Sequence, residues 1–214
     1  MKRQIFELTL DKLSLDVTGA KGNKGSTHLI TFRLIWPRPA IAERIAVKAV
    51  DLTGKSVSLV TKPWVERILF KEKVEGPFGI ELTVSEPASD RQVADFMSFL
   101  GAAMFKIATS EAADLLATPL AGALTGIPLR YLAKQALSSS KNRVRTVAIG
   151  AADLCAENLA KHGKRSPVKL RLRVEEPVTR VTRRRKHGKS SVKRAVLLKA
   201  GQPNGEVVLG ARVY

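Results

Sequence analysis

The sequence predicts a mainly β, antiparallel sandwich with a helical insertion over about residues 89–140 and a C-terminal hairpin. Three observations carry that prediction. Apolar and polar residues alternate through the first 87 residues, the period lengthens to that of a helix at Ser89–Asp90, and alternation resumes after Lys141. The expected organisation is a strand-rich body made of residues 1–88 plus 141–214, and an insert, 89–140.

In "IFELTLDKLSLDV" the residues Phe6, Leu8 and Leu10 alternate with polar neighbours. The apolar phase then moves to Leu13, Leu15 and Val17, as an extra residue or a bend in the strand would cause. "LITFRLIW" sets Ile30, Phe32, Leu34 and Trp36 against Thr31 and Arg33, and "FGIELTV" repeats the pattern with Phe78, Ile80, Leu82 and Val84. Between them "RIAVKAVDL", "SVSLV" and "RILFKEKV" are shorter strands bounded by Gly or Pro.

The insert opens with Val93, Phe96, Met97, Leu100, Met104 and Ile107 at helical spacing behind a cap at Ser89 or Asp90. Two further helical pieces are expected near 110–117 and 129–138. The uncharged run 115–129 is shorter than the roughly 20 residues that span a bilayer, and Pro119 and Pro128 interrupt it. From Phe96 to Leu129 only Lys106, Glu111 and Asp114 are charged, too little polar surface for a solvent-facing side. Phe99, Leu116, Leu120, Leu124 and Ile127 are therefore expected to dock a partner or a membrane. Gly122 and Gly126 have a close-packing spacing, but the prolines leave too short a helix for it to matter.

After the insert, "RVRTVAIGAADL" and "PVKLRLRVEE" read as strands. The second places Val168, Leu170, Leu172 and Val174 inward and Lys169, Arg171 and Arg173 outward. "TRVTRRRKHGKSSVKR" holds eight Lys and Arg and no acid, and is expected to be a mobile loop. "AVLLKAGQPNGEVVLGARV" then predicts a hairpin turning at Pro203–Asn204–Gly205.

Charge is the compositional outlier. The chain has 37 Lys and Arg against 19 Asp and Glu, a net +18. Residues 141–214 hold 19 bases and 5 acids, net +14, leaving net +4 for the rest. Such a balance selects polyanionic partners: nucleic acid, anionic headgroups or an acidic protein face. The anion-binding set expected from it is Lys21, Lys24, Lys169, Arg171, Arg173, Arg183, Arg184, Arg185 and Lys186. Aromatic residues that would stack on bases are missing between Lys141 and Val213.

The N-terminus "MKRQIFELTLDKLSLDV" is charged too early to read as a secretory signal or a membrane anchor. One cysteine, Cys155, excludes an intrachain disulfide, points to a cytoplasmic location, and reads as a small buried residue. "AVDLTGKS" matches a relaxed phosphate-loop pattern, yet the apolar residues on both sides of Thr53–Gly54–Lys55 make it a hairpin turn between strands. His28, His162 and His187 fall in polar, basic loops without an orienting acid, and Glu175–Glu176 lies at a strand end. No catalytic residue, cofactor or small-molecule substrate is expected.

Two stretches resemble the C2 domain. "KPWVERILFKEKVEGPFGIELTVSEP" is similar to its Pro-x-Trp-x-Glu strand and the aliphatic strand after it, through Pro63, Trp64, Glu66, Phe70, Leu82 and Val84. "VAIGAADLCAENL" is similar to the Ile-Gly strand that follows, through Ile149, Gly150, Leu154 and Leu159, and "PVKLRLRV" to the closing strand. The resemblance implies a C2-like β-sandwich and a lipid-facing role. Calcium-binding members supply about five aspartates from loops at one end. Here the first such loop is "TGAKGNKGSTH", and Asp16, Glu86 and Asp90 are too few, so no metal is expected.

The function expected is a non-enzymatic binding or assembly module. Its apolar insert docks a protein partner or a second copy, and its basic surface meets an acidic partner. Two alternatives stand beside it: peripheral attachment to an anionic membrane by insert and basic patches together, and sequence-nonspecific nucleic-acid binding.

Overall fold

The computed structural model describes residues 4–19, 26–37, 44–86, 145–161, 165–186 and 189–214. The expected helical insert, with Phe99, Leu116, Leu120, Leu124 and Ile127, lies outside the described residues, as do Lys21, Lys24, Asp90, His162 and His187. What is described is mainly β and antiparallel.

The described residues form eleven strands: β1 (Gln4–Ser14), β2 (Ser26–Ile35), β3 (Arg44–Leu52), β4 (Ser56–Ser58), β5 (Ile68–Val74), β6 (Pro77–Glu86), β7 (Arg145–Cys155), β8 (Ser166–Arg173), β9 (Val178–Lys186), β10 (Lys189–Leu198) and β11 (Pro203–Val213). Two short helices, α1 (Trp64–Arg67) and α2 (Ala156–Lys161), connect β4 to β5 and follow β7. Nine strands form one sheet in the order β3-β2-β6-β7-β8-β11-β1-β4, with β5 also on β1. The other two, β9 and β10, form a separate ribbon.

The sheet curls until its ends nearly meet, as in a barrel. β3 and β4, at opposite ends of the strand order, are joined by Thr53–Lys55, where Thr53 and Ser56 exchange backbone hydrogen bonds of 3.2 and 3.5 Å. Gly54 takes the positive φ of 70° that this tight turn needs, which fits the hairpin reading of "LTGKS". Arg44 of β3 reaches Glu72 of β5 at 3.5 Å across the same closure. At the middle, β7 and β8 share a single paired position, Ile149 opposite Arg173. Gly150 lets the two strands close there, since a Cβ would stand 2.8 Å from Leu172 Cδ2.

One core fills the interior. Phe6 and Phe78 meet edge to face at 4.8 Å, and Leu8, Leu10, Ile30, Phe32 and Leu209 belong to the same cluster, all essentially inaccessible to water. The change of apolar phase along β1 is a β-bulge: pairing with β11 shifts between Leu10 and Lys12, so Phe6, Leu8 and Leu10 and then Leu13 and Leu15 all point inward. At the bulge the partner on the other edge of β1 also changes. β5 pairs with Gln4–Thr9 and β4 with Lys12–Ser14.

The carboxylate of Asp11, at the bulge, gathers the chain around this change of partner. It accepts from Arg67 Nη2 at 2.7 Å, from Thr9 Oγ1 at 3.1 Å, and from the guanidinium of Arg165. Arg165 packs against Gly210, where any Cβ would overlap its guanidinium.

Pro203–Asn204–Gly205 differs from its expected place at a hairpin tip. β11 does not fold back on β10; it lies between β8 and β1, and β10 pairs with β9. The Asn-Gly pair instead makes an irregularity between Pro203 and Glu206. The fully buried Asn204 side chain accepts from Val17 N at 2.8 Å and donates to Val17 O at 3.0 Å and Val147 O at 2.8 Å. Gly205, at φ 93°, runs against the backbone of Ser14 and Leu15, with no room for a Cβ.

His28 is a second correction. It is in β2 rather than a loop, and it is buried, with Nε2 2.6 Å from the Thr18 carbonyl. A carbonyl only accepts, so that nitrogen carries the proton. His28 lies two residues before Ile30 in the row of Ile30, Phe32 and Leu34, so the period of two already pointed it inward, where its ring is bonded.

Replacing Asn204 by Ala strands two carbonyls and an amide N–H in the interior. We expect Asn204→Ala to lower stability by about 2–4 kcal/mol, read as a lower denaturant midpoint with an unchanged slope. A loss below about 0.5 kcal/mol would mean that the amide does not hold these segments together.

Candidate polyanion interface

The stretch expected to be a mobile basic loop is a two-stranded ribbon. Val178 to Lys186 pairs with Lys189 to Leu198 over nine positions, from Lys189 opposite Lys186 to Leu198 opposite Val178. The β-branched residues of "VTRVT" and "SSVKRAV" suit an extended, pleated backbone, and the charge does not prevent the ladder from forming.

The base of the ribbon is clamped to the body. Val174 N donates to Gln202 O at 2.9 Å and Gly201 N to Val174 O at 2.7 Å, so the entering and leaving chains are bonded to one another. Gln202 caps the turn by accepting from Lys199 N at 2.6 Å through its side chain. Val174 and Val178 are buried, and Arg145, at the start of β7, donates to Thr179 O at 2.8 Å. Beyond this neck Thr182 and residues 192–196 are exposed, including Val192 at 55% and Val196 at 59%.

Residues 178–198 hold eight cations and no acid: Arg180, Arg183, Arg184, Arg185, Lys186, Lys189, Lys193 and Arg194. The register sorts these positions into two rows of the pleat. Positions 180, 184, 186, 189 and 193 share one row, and positions 183, 185 and 194 share the other with 181, 192 and 196. Lys186 and Lys189 are directly opposite in the register.

β8 leads into the neck with its own exposed row, Lys169, Arg171 and Arg173, while Leu170, Leu172 and Val174 are buried. That is the alternation the sequence predicts. Glu206 of β11 stands opposite Arg171. Of the nine expected anion-binding residues, seven are thus placed, three on β8 and four in β9. Sequence reading missed Arg180, Lys189, Lys193 and Arg194, because a loop has no rows. The recurrence of Val and Thr through the basic run was the available signal.

A second surface feature lies across the body. Val60, Trp64 and Val65 are exposed around α1, yet Trp64 Nε1 donates to Glu7 Oε1 at 2.8 Å. Tyr214 Oη donates to Glu7 Oε2 at 3.2 Å, and the Arg212 guanidinium sits 5.2 Å above the Tyr214 ring. These contacts fasten the C-terminus and α1 to β1.

Cys155 is half-buried rather than buried, and its thiol donates to Glu157 Oε2 at 2.8 Å. That bond, with a smaller contribution from the Glu157 backbone N–H, holds the Glu157 carboxyl below its usual range. Burial holds the Lys48 ammonium below the usual lysine range, against the opposing pull of Glu66. Neither group adjoins the ribbon in the pairing. Among the described residues no helix is long and apolar enough to cross a membrane, and no group of three or more His, Cys, Asp or Glu gathers as a metal site. No family model, curated protein or solved structure matches the chain.

The neck generates a prediction about ribbon dynamics. Arg145→Ala removes one bond worth about 1 kcal/mol, so amides of β9 and β10 should exchange with deuterium roughly fivefold faster while those of β1 and β11 keep their rates. Unchanged exchange in the ribbon would show that Arg145 does not anchor it.

Proposed function

We propose that the protein is a non-enzymatic binding and assembly module that grips a polyanionic partner with the β9–β10 ribbon and the adjoining row of β8. The observation that supports this most is the ribbon itself: eight cations and no acid on a projecting two-stranded element clamped at its base. A solvated charge run would leave its backbone free. This one is held extended in a paired ladder, with like charges at opposing register positions. Five of the eight cations are arginine, whose planar fork meets phosphate, sulfate or carboxylate with two bonds at once. The C2 resemblance enters as architecture: the half-sheets on either side of the single β7–β8 pair would be the two layers of such a sandwich.

Heparin, a generic polyanion, tests the reading. Replacing Arg183, Arg184, Arg185 and Lys186 by Ser should release the protein from immobilised heparin at clearly lower salt. Replacing Lys12, Lys62, Lys71 and Lys73 by Ser removes the same charge from exposed positions on the body and should change elution much less. Equal effects of the two variants would mean that net charge, not the ribbon, does the binding.

A second reading rests on the sparse charge of residues 96–129, and assigns the insert to docking a protein partner or a second copy. Leu120→Glu with Leu124→Glu should then dissolve an oligomer while the thermal midpoint stays nearly unchanged, because anchors removed from an interface weaken association before stability. Loss of the fold in a parent that is already monomeric would return these leucines to an internal core.

A further inference from the structure

We infer that the polyanion is double-stranded nucleic acid and that the ribbon lies in its major groove, holding phosphates on both walls without reading sequence. This inference rests on the reading that the ribbon binds polyanions, and it goes further by naming which one. Three features select a duplex.

The first is the distribution of charge over both rows of the pleat. A flat partner, whether a bilayer or an acidic protein face, meets one face of a ribbon, and cations on the other face would stay in water. A groove has a phosphate wall on each side. Here the row of 180, 184, 186, 189 and 193 carries five cations and the opposite row carries three, at 183, 185 and 194.

The second is size. Set on edge with one row toward each wall, a ribbon with its side chains is about 10 Å thick, which suits a major groove about 12 Å across and overfills a minor groove of about 6 Å, and two strands about 4.8 Å apart fit a groove about 8.5 Å deep. Strands of 9 and 10 residues reach about 30 Å, close to one turn of duplex.

The third is what the ribbon lacks. From Lys141 to Val213 there is no Phe, Trp or Tyr. Single strands are held largely by bases stacked on aromatic rings. The ribbon also holds no Asn, Gln, Asp or Glu, the side chains that pair with adenine and cytosine edges. Arginine and lysine can pair with guanine edges as well as with phosphate, but rows set toward the two walls meet phosphate, so binding should be insensitive to sequence.

The experiment measures affinity of the whole chain, at several salt concentrations, for four probes. These are a DNA duplex of about two turns, one of its single strands, heparin, and phosphatidylcholine vesicles containing phosphatidylserine. We expect the duplex to bind at least about tenfold more tightly than the single strand. We also expect the plot of log affinity against log salt to fall with a slope between about −4 and −7, for five to eight phosphates neutralised. A scrambled duplex should bind equally, and a minor-groove ligand should not compete.

Two variants test the groove. Replacing Arg184, Lys186 and Lys189 by Ser, and separately Arg183, Arg185 and Arg194 by Ser, should each make the slope shallower by about 3. An unchanged thermal midpoint of the body shows that each variant is folded. If only one row matters, the partner surface is flat and the groove placement is wrong. Preference for the single strand or for vesicles overturns the duplex. Binding to heparin but not to the duplex overturns this inference and leaves the polyanion reading standing, whereas binding to none of the four overturns both.

Discussion

Three hydrogen bonds from one buried amide hold this fold in register. Asn204 joins the segment after β1, through both backbone groups of Val17, to the carbonyl of Val147 in β7, while its own backbone begins β11. Those pieces belong to different regions of the sheet, and β7 meets β8 at one position only. A sheet that curls nearly shut needs its strands fixed along their length as well as side by side, because a slip of one residue turns every inward side chain outward. An amide that both donates and accepts can satisfy two carbonyls and an N–H at once, which an aliphatic side chain of the same volume cannot do. Gly205 next to it lets β11 run directly against Ser14, so the polar bridge and the close backbone approach occur in consecutive residues.

The same local geometry sets where the ribbon leaves the body. Gly201 and Gln202 turn the chain just before Pro203, and their bonds to Val174 bring the ends of β10 and β8 together. The ribbon is thus supported on a neck whose position is determined by the register of β11. An isolated two-stranded hairpin is at best marginally stable in water, and one with eight cations is worse. Its stability is borrowed from the neck at one end and, in the proposed complex, from phosphates along its length. A preformed element also loses less conformational freedom on binding than a disordered tail of the same charge would.

Away from the ribbon, polar groups on the outer face of β1 do a different job. Glu7, before the bulge, and Asp11, at it, collect the segments that cross this face: Trp64 and Tyr214 on Glu7, Arg67 and Arg165 on Asp11. Two carboxylates thereby fix α1, the C-terminus and the approach to β8 against one strand. Trp64 illustrates the result, since half of its surface is in water although its indole N–H is bonded. The basic character of the protein makes such acids scarce, and these two are both committed to arginine or aromatic partners.

Outside the basic run, alternation along the chain was enough to determine where the strands lie, which residues of β8 face in and out, and where β1 is bulged. All three depend on the period of two and on residues within a few positions of one another. The lopsided charge was equally legible, and with it Lys169, Arg171, Arg173 and the run at 183–186. Pairing was not. Period two says which face a residue takes but not which strand lies beside it, and the outermost partners here, Phe6 and Val213, are at opposite ends of the chain. The Asn-Gly signal was real chemistry assigned to the wrong event, because a residue at positive φ serves a bulge as well as a hairpin tip. The carbonyl that bonds His28 in the core is ten residues away, and Cys155 is placed at its rim by packing that no spacing encodes. Above all, only the tertiary structure decided that the basic run is a ribbon: pairing β10 with β9 instead of β11 turns a string of charges into two ordered rows, and that pairing is settled by competition among strand edges across the whole sheet.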